Sequence, residues 1–125
     1  MPTIIRKLHP LIVESRREIV SAVTWRVRAN VWHPPTDVYE TEDSLVVKME
    51  IAGMRDEDLE VVVQSNLLMI SGARSDSLER KAYHQMEIPF GRFSVSIELP
   101  VRVNTDNASA EYKDGFLTIQ FPKEQ

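Results

Sequence analysis

The sequence predicts an all-β fold, a mostly antiparallel sandwich or barrel-like sheet, preceded by an amphipathic helical arm. Three observations carry this expectation. From Pro35 onward apolar and polar residues alternate with a period of two. Turn-forming residues punctuate that pattern roughly every 8–12 residues, and no helical run separates the strand candidates. Before Pro34 the period is instead that of a helix.

The arm comes first. Leu8, Leu11, Ile12, Ile19, Ala22 and Val23 recur at helical spacings and fall on one face, with Arg17, Ser21, Thr24 and Arg28 on the other. Pro10 suits the first turn of such a helix, where its missing amide costs nothing. Trp25, Val27, Val31 and Trp32 follow, and His33-Pro34-Pro35 ends the run, because proline disfavours helix in the residue before it. Charge divides the chain at the same place. Residues 1–33 hold six basic and two acidic side chains, net +4, whereas residues 34–125 hold nine and seventeen, net −8. The expected organisation is an arm over 1–34, a β domain over 35–123 and a remnant tail over 124–125.

Within the domain the strand candidates are Asp37–Thr41, Leu45–Ile51, Leu59–Val63, Leu67–Ser71, Tyr83–Glu87, Arg92–Leu99, Ala108–Tyr112 and Phe116–Phe121. Gly53 breaks the second, and Arg55–Asp58 reads as a charged turn. Ser65-Asn66 joins the third to the fourth, and Gly72 closes the fourth. Residues 73–81 are polar enough for a loop, and Pro100 stops the sixth strand. Asp114-Gly115, between two alternating runs, is the strongest short-range hairpin signal in the chain.

The 125 residues fit one domain, and at this size about two-thirds of the unfolded surface can be buried. The absence of cysteine excludes disulfides and zinc-thiolate sites and fits a reducing compartment. No apolar run is long enough to cross a bilayer and no cleavable leader is evident, so a cytoplasmic location is expected. Catalytic chemistry finds no constellation. His9, His33 and His84 lack a second His at metal-ligand spacing, and Asp56-Glu57-Asp58 lacks the spaced ligands of a calcium loop. No serine sits in a nucleophile elbow, and four glycines make no phosphate loop. No enzyme, metal or cofactor is expected. The acidic domain argues against nucleic acid. The basic amphipathic arm leaves three uses open: packing on its own domain or a twin chain, contact with apolar surface on partners, or contact with an anionic membrane.

From Pro35 to Lys123 the residues resemble the α-crystallin domain of the small heat shock proteins. The hairpin Ala110-Glu111-Tyr112-Lys113-Asp114-Gly115-Phe116-Leu117 is similar to that family's A-x-x-x-(N/D)-G-(V/I)-L pattern. Pro35–Glu40 resembles its entry strand, Gly53 through Leu59 its P-G-x-x-x-x-(D/E)-(I/L) turn, and Ser71-Gly72 the end of the next strand. Gly91-Arg92-Phe93 and Glu98-Leu99-Pro100 resemble its G-x-F…LP stretch. Ala52 and Val95 depart from it, standing where proline and arginine are common. The family's C-terminal I-x-I extension has no counterpart beyond Pro122.

The resemblance implies an immunoglobulin-like antiparallel β-sandwich and an ATP-independent holdase that binds unfolding client proteins and keeps them from aggregating. It implies a homodimer, or a larger homo-oligomer, formed by strand exchange between Thr36, Asp37, Val38, Tyr39 and Glu40 of one copy and Tyr83, His84, Gln85, Met86 and Glu87 of the other. It also implies a groove edged by Leu59, Val61 and Val63, where a tail docks in relatives; here that groove is left vacant, filled by another segment, or open to clients. The arm's apolar residues Leu8, Leu11, Ile12, Ile19, Val23, Trp25, Val31 and Trp32 are the candidate client contacts. A CS-type co-chaperone module with one specific partner, and a membrane-associated stress protein, are the alternatives.

Overall fold

In a computed structural model the described residues are 2–6 and 31–124. They form eight strands: β1 (Pro2–Arg6), β2 (Thr36–Glu40), β3 (Ser44–Glu50), β4 (Leu59–Gln64), β5 (Leu67–Arg74), β6 (Gly91–Glu98), β7 (Ser109–Lys113) and β8 (Phe116–Pro122). Two four-stranded sheets result, ordered β1-β4-β5-β6 and β2-β3-β8-β7, and every pairing between these strands is antiparallel. The expected all-β sandwich is therefore the architecture found.

Alternation explains how the two sheets face each other. Leu45, Val47 and Met49 of β3 and Leu117, Ile119 and Phe121 of β8 point inward from one sheet. Val61, Val63, Leu68, Ile70, Phe93 and Val95 point inward from the other, and all of these side chains are buried in one continuous core. Val95 lies opposite Ile70 in that core. Fully burying aliphatic and aromatic side chains of this kind stabilises by roughly 1.5–3 kcal/mol each. Strict alternation fails at Val46, buried on the outer face of β3, and across the β4-β5-β6 sheet. Glu60, Val62, Met69, Ser71 and Ser94 lie on the opposite face of the β4-β5-β6 sheet and are also buried.

Turns fix the register. Asp114 and Gly115 both have positive φ, +54° and +86°, the pattern a two-residue type I′ turn requires between β7 and β8. Gly115 also accepts a hydrogen bond from Ile51 N at 2.8 Å. A Cβ at Gly115 would meet Ala52 Cβ at 3.2 Å, so glycine is needed for both conformation and space. A 3₁₀ turn, Asp56–Asp58, leads into β4, with Asp58 Oδ2 accepting from Arg55 N at 3.3 Å. Tyr112 of β7 ties this corner down. Its hydroxyl donates to Ile51 O at 2.7 Å and accepts from Met54 N at 3.3 Å.

Three expectations change. Residues 83–87 form no strand in the single chain, because Tyr83–Glu87 has no neighbouring strand to complete its hydrogen bonds. β5 runs past Gly72 to Arg74, since β6 offers partners as far as Gly91. Pro2–Arg6, inside the arm expected to be helical, is instead a strand on β4. The predicted helical run itself falls on residues 8–28, outside the described residues.

Of the four glycines, Gly72 has the least room for a side chain. A Cβ there would lie 2.6 Å from the Asp58 carbonyl oxygen and 2.9 Å from Phe93 Cζ. Gly72→Ala is expected to destabilise the domain by about 1–3 kcal/mol, through displacement of backbone and a buried ring. Urea unfolding would measure this, with a lower midpoint and an unchanged slope.

Candidate functional site

β2 is an edge strand, paired with β3 on one side only. Val38 and Tyr39 on it are exposed. Across the molecule, the segment between β5 and β6 (residues 75–90) carries Leu78, Tyr83, Met86 and Ile88, all exposed, with Ile88 62% and Met86 57% accessible. These are large apolar side chains in water, with irregular backbone beside them. Of the two segments expected to exchange, β2 has one open edge and residues 83–87 have no strand partner within the described chain.

The loop holds its own shape through polar contacts. Lys81 Nζ donates to Asp76 Oδ1 at 2.7 Å and to Ser77 Oγ at 2.9 Å, and the Tyr83 hydroxyl donates to Asp76 Oδ2 at 2.5 Å. Those bonds, that from Lys81 foremost and that from Tyr83 next, lower the Asp76 carboxyl from 3.8 to about 2. Asp76 is depressed, so this clasp is fully present above 3.8 and is lost as pH falls through about 2. Lys81 and Tyr83 are raised, each chiefly by its hydrogen bond to Asp76. Their contribution is present at neutral pH and is lost only above their ordinary values, in strong alkali. The groups are in contact with solvent, so the clasp orders the loop more than it stabilises the fold.

Arg74, which sequence reasoning did not single out, anchors the loop's far end. Its Nε and Nη2 donate to Pro89 O at 3.0 and 2.6 Å, and its Nη1 donates to Ala52 O at 3.1 Å. The same guanidinium lies 4.4 Å from the Trp32 ring centroid and 5.6 Å from that of Phe90. Only arginine's planar fork reaches two carbonyls while stacking on an indole. No local pattern announces this, because the partners lie 15, 22 and 42 positions away.

Trp32 is fixed from three sides. Its indole donates to Gly91 O at 3.1 Å, its ring meets Phe93 edge-on at 5.5 Å, and its backbone bridges Phe93 in parallel. Of the eight candidate client contacts, only Val31 and Trp32 are described, both partly buried. Leu8, Leu11, Ile12, Ile19, Val23 and Trp25 fall outside the described residues.

The expected groove-edge residues lie on a paired strand. Leu59, Val61 and Val63 are buried, and β1 pairs along β4 with Pro2 opposite Gln64, Thr3 opposite Val63 and Ile4 opposite Val62. β1 also lies near β7 of the other sheet. Along the β4 edge, where the sequence left three states open, the structure places β1. Among the described residues, no three His, Cys, Asp or Glu side chains converge on a metal position, and no helix is long and apolar enough to cross a membrane.

A model of the Hsp20/alpha crystallin family matches residues 37–125. The chain belongs to that family. Small heat shock protein C4 of Rickettsia felis is 36% identical over 94 residues, which are 74% of this chain and 58% of that protein. The chain thus spans less than two thirds of that relative's length. Among solved structures, heat shock protein 16.0 from Schizosaccharomyces pombe superposes with a TM-score of 0.68 at 31% identity, over 75% of this chain and 89% of that one. The small heat-shock protein from Xylella fastidiosa, described as having a distinct high-order structure, gives 0.68 at 26% identity, over 75% and 88%. The family hairpin residues Ala110, Asp114, Gly115 and Leu117 thus sit where the fold needs them: Gly115 in the turn and Leu117 in the core.

Arg74→Ala is expected to free the loop's exit and the Trp32 ring together, at a cost of about 1–2 kcal/mol. Arg74→Lys should recover little of this, because an ammonium cannot serve both carbonyls. Tryptophan fluorescence of Trp32, in a Trp25→Phe background, would report the release as a red shift.

Proposed function

We propose that the chain is an ATP-independent holdase, which binds partly unfolded proteins and prevents their aggregation under stress. The observation that carries this reading is the family match across the whole β domain. The physics of holding requires no catalytic group. Unfolding proteins expose apolar surface, and covering it is worth roughly 25 cal/mol per Å² removed from water. Adaptable apolar side chains suit varied clients because they re-pack. The arm's apolar face, Leu8 through Trp25, is the proposed client surface. Trp32 serves as its anchor on the domain, since Phe93 and Arg74 already engage its ring.

The working unit in this reading is a homodimer built by strand exchange, located in the cytoplasm, where a cysteine-free chain is at no disadvantage. Residues 83–87 of one copy add to the free edge of β2 in the other. Two features support this: the open edge of β2 and the exposed Tyr83, Met86 and Ile88. An unpaired edge strand is a hazard that a twin chain removes.

Light scattering of a heat-labile client without ATP tests the activity. Suppression near stoichiometric ratios is expected, and undiminished aggregation at every ratio would reject the holdase reading. Replacing both Leu11 and Ile12 by Ser leaves β1 in place and should weaken protection several-fold; unchanged protection would remove the arm from the mechanism.

Exchange has its own test. Gln85→Pro removes a ladder amide from the exchanged strand and should weaken the dimer roughly tenfold, an effect of about 1.4 kcal/mol. Sedimentation equilibrium would read it, and an unaltered dissociation constant would argue against exchange through residues 83–87.

A further inference from the structure

The outer face of the β4-β5-β6 sheet is buried although it points away from the core. We propose that this face is the docking site of the chain's own arm, and that Arg26 of the arm seats against Glu60.

Glu60, Val62, Met69, Ser71 and Ser94 lie on that face, yet each is between 1% and 4% exposed. The other sheet packs against the inner face. Residues 77–89 of the long loop are all exposed, so the loop is not laid over these five. Three of them form one polar row across the sheet, since Glu60 is the register partner of Ser71, and Ser71 of Ser94. Val62 and Met69 form an apolar row beside it. Ser94 Oγ is buried without a hydrogen-bond partner. A carboxylate taken out of water requires a cation or several donors close by. The cover this face fits is therefore apolar, with a positive charge at one point.

Topology supplies such a segment. β1 lies at one edge of this sheet, and Trp32 bridges β6 at the other. The two edges stand about 14 Å apart at the usual strand spacing. Residues 7–30 join them. Because the second sheet closes the inner face, the short route between the edges runs over the outer one. As a helix, that segment spans about 36 Å, enough to cross.

The arm's pattern matches the face. Its apolar stripe, Leu8, Leu11, Ile12, Ile19, Ala22 and Val23, suits Val62 and Met69. Arg26 follows Ile19 by seven residues and Val23 by three. Continuing the helix places it on the same stripe, while Arg17 and Arg28 lie on the other side. A cation carried on an apolar stripe calls for a buried anion, and Glu60 is one. Reach agrees. Arg26 is six residues from Trp32, about 9 Å of helix or about 20 Å of extended chain, and β4 lies about 10 Å from β6. Arg16, which borders the stripe, is ten residues further away. A guanidinium presents five donors in a planar fork, which suits a carboxylate with two hydroxyls in its row. Client contact through the same apolar residues then requires the arm to leave this face.

Glu60→Gln removes the charge and keeps the side-chain shape. Trypsin cleavage after Arg16 and Arg17, followed by mass spectrometry, reads release of the arm, with Arg80 of the exposed loop as internal reference. Glu60→Gln and Arg26→Gln are each expected to speed cleavage in the arm several-fold over that reference. The double variant should be no faster than either single one, because the two partners share one interaction. Unchanged cleavage in Glu60→Gln, or effects that multiply in the double variant, would overturn the pairing. Arg26→Gln lies outside both sheets, so it stays informative if Glu60→Gln disturbs folding. The absence of cysteine lets the occupant be identified as well. Val23→Cys/Val62→Cys should close a disulfide within one chain. No disulfide, or one formed only between chains, would overturn docking of the arm on its own sheet. Neither measurement involves a client, so failure here leaves the holdase reading untouched.

Discussion

A sandwich of two open four-stranded sheets has four edges, each with a row of backbone N–H and C=O groups that nothing inside the sheet can satisfy. That constraint organises the molecule more than the core does. Many sequences with alternating Val, Ile and Leu would fill the space between two sheets. Far fewer would leave the edges in usable states. Here the four are treated differently. β1 is a five-residue edge strand whose register on β4 breaks near its end, and β6 is bridged at Phe93 by Trp32. β7 carries the alternating charges Glu111 and Lys113, the usual protection of an edge left in water. β2 alone combines an open edge with exposed Val38 and Tyr39.

The functional surfaces follow from how those edges are connected. Arg74 stands at the end of β5, where the loop, the Gly53 turn and the arm's anchor meet. Its contacts with Pro89, Ala52 and Trp32 place the exit of the arm beside the base of the apolar loop. A change at either segment is therefore felt through one guanidinium. The Asp76–Lys81–Tyr83 clasp completes the arrangement at the other end of the loop. The loop is thus shaped at both ends while its apolar side chains remain in solvent. That combination would lower the entropy cost of the proposed pairing, since a segment already shaped has less freedom to lose.

Legibility in the sequence tracked the range of the interaction. Strands whose faces alternate, such as Leu45–Ile51 and Phe116–Phe121, declared themselves because burial of every second residue writes the structure locally. The Asp114-Gly115 turn did so because two consecutive positive φ values demand those residue types. Pro2–Arg6 did not. Five residues with two adjacent isoleucines carry no period, and the partner strand lies more than fifty positions away. β4 and β5 were legible as strands, but the burial of Val62 and Met69 on the second face was not, because a short apolar run reads the same whether one face or both are covered. Residues 83–87 are a strand only in the exchange that the family resemblance implies, because a strand exists only with a neighbour, and within the described chain they have none. Arg74 is the sharpest case, since a basic residue at a strand end looks like any solvated surface charge until three distant partners are assembled around it.

Charge separates the two uses of apolar surface that such a molecule must keep apart. The core is protected by depth. The exposed side chains of the loop and of β2 have no such protection, and a like-charged domain supplies it. Residues 34–125 carry net −8, so two domains approaching at random repel over about a Debye length, roughly 8 Å at physiological salt. The arm carries net +4, opposite in sign to the domain. Random domain-to-domain collapse is thereby disfavoured while arm-to-domain contact is not. Raising ionic strength weakens both effects at once.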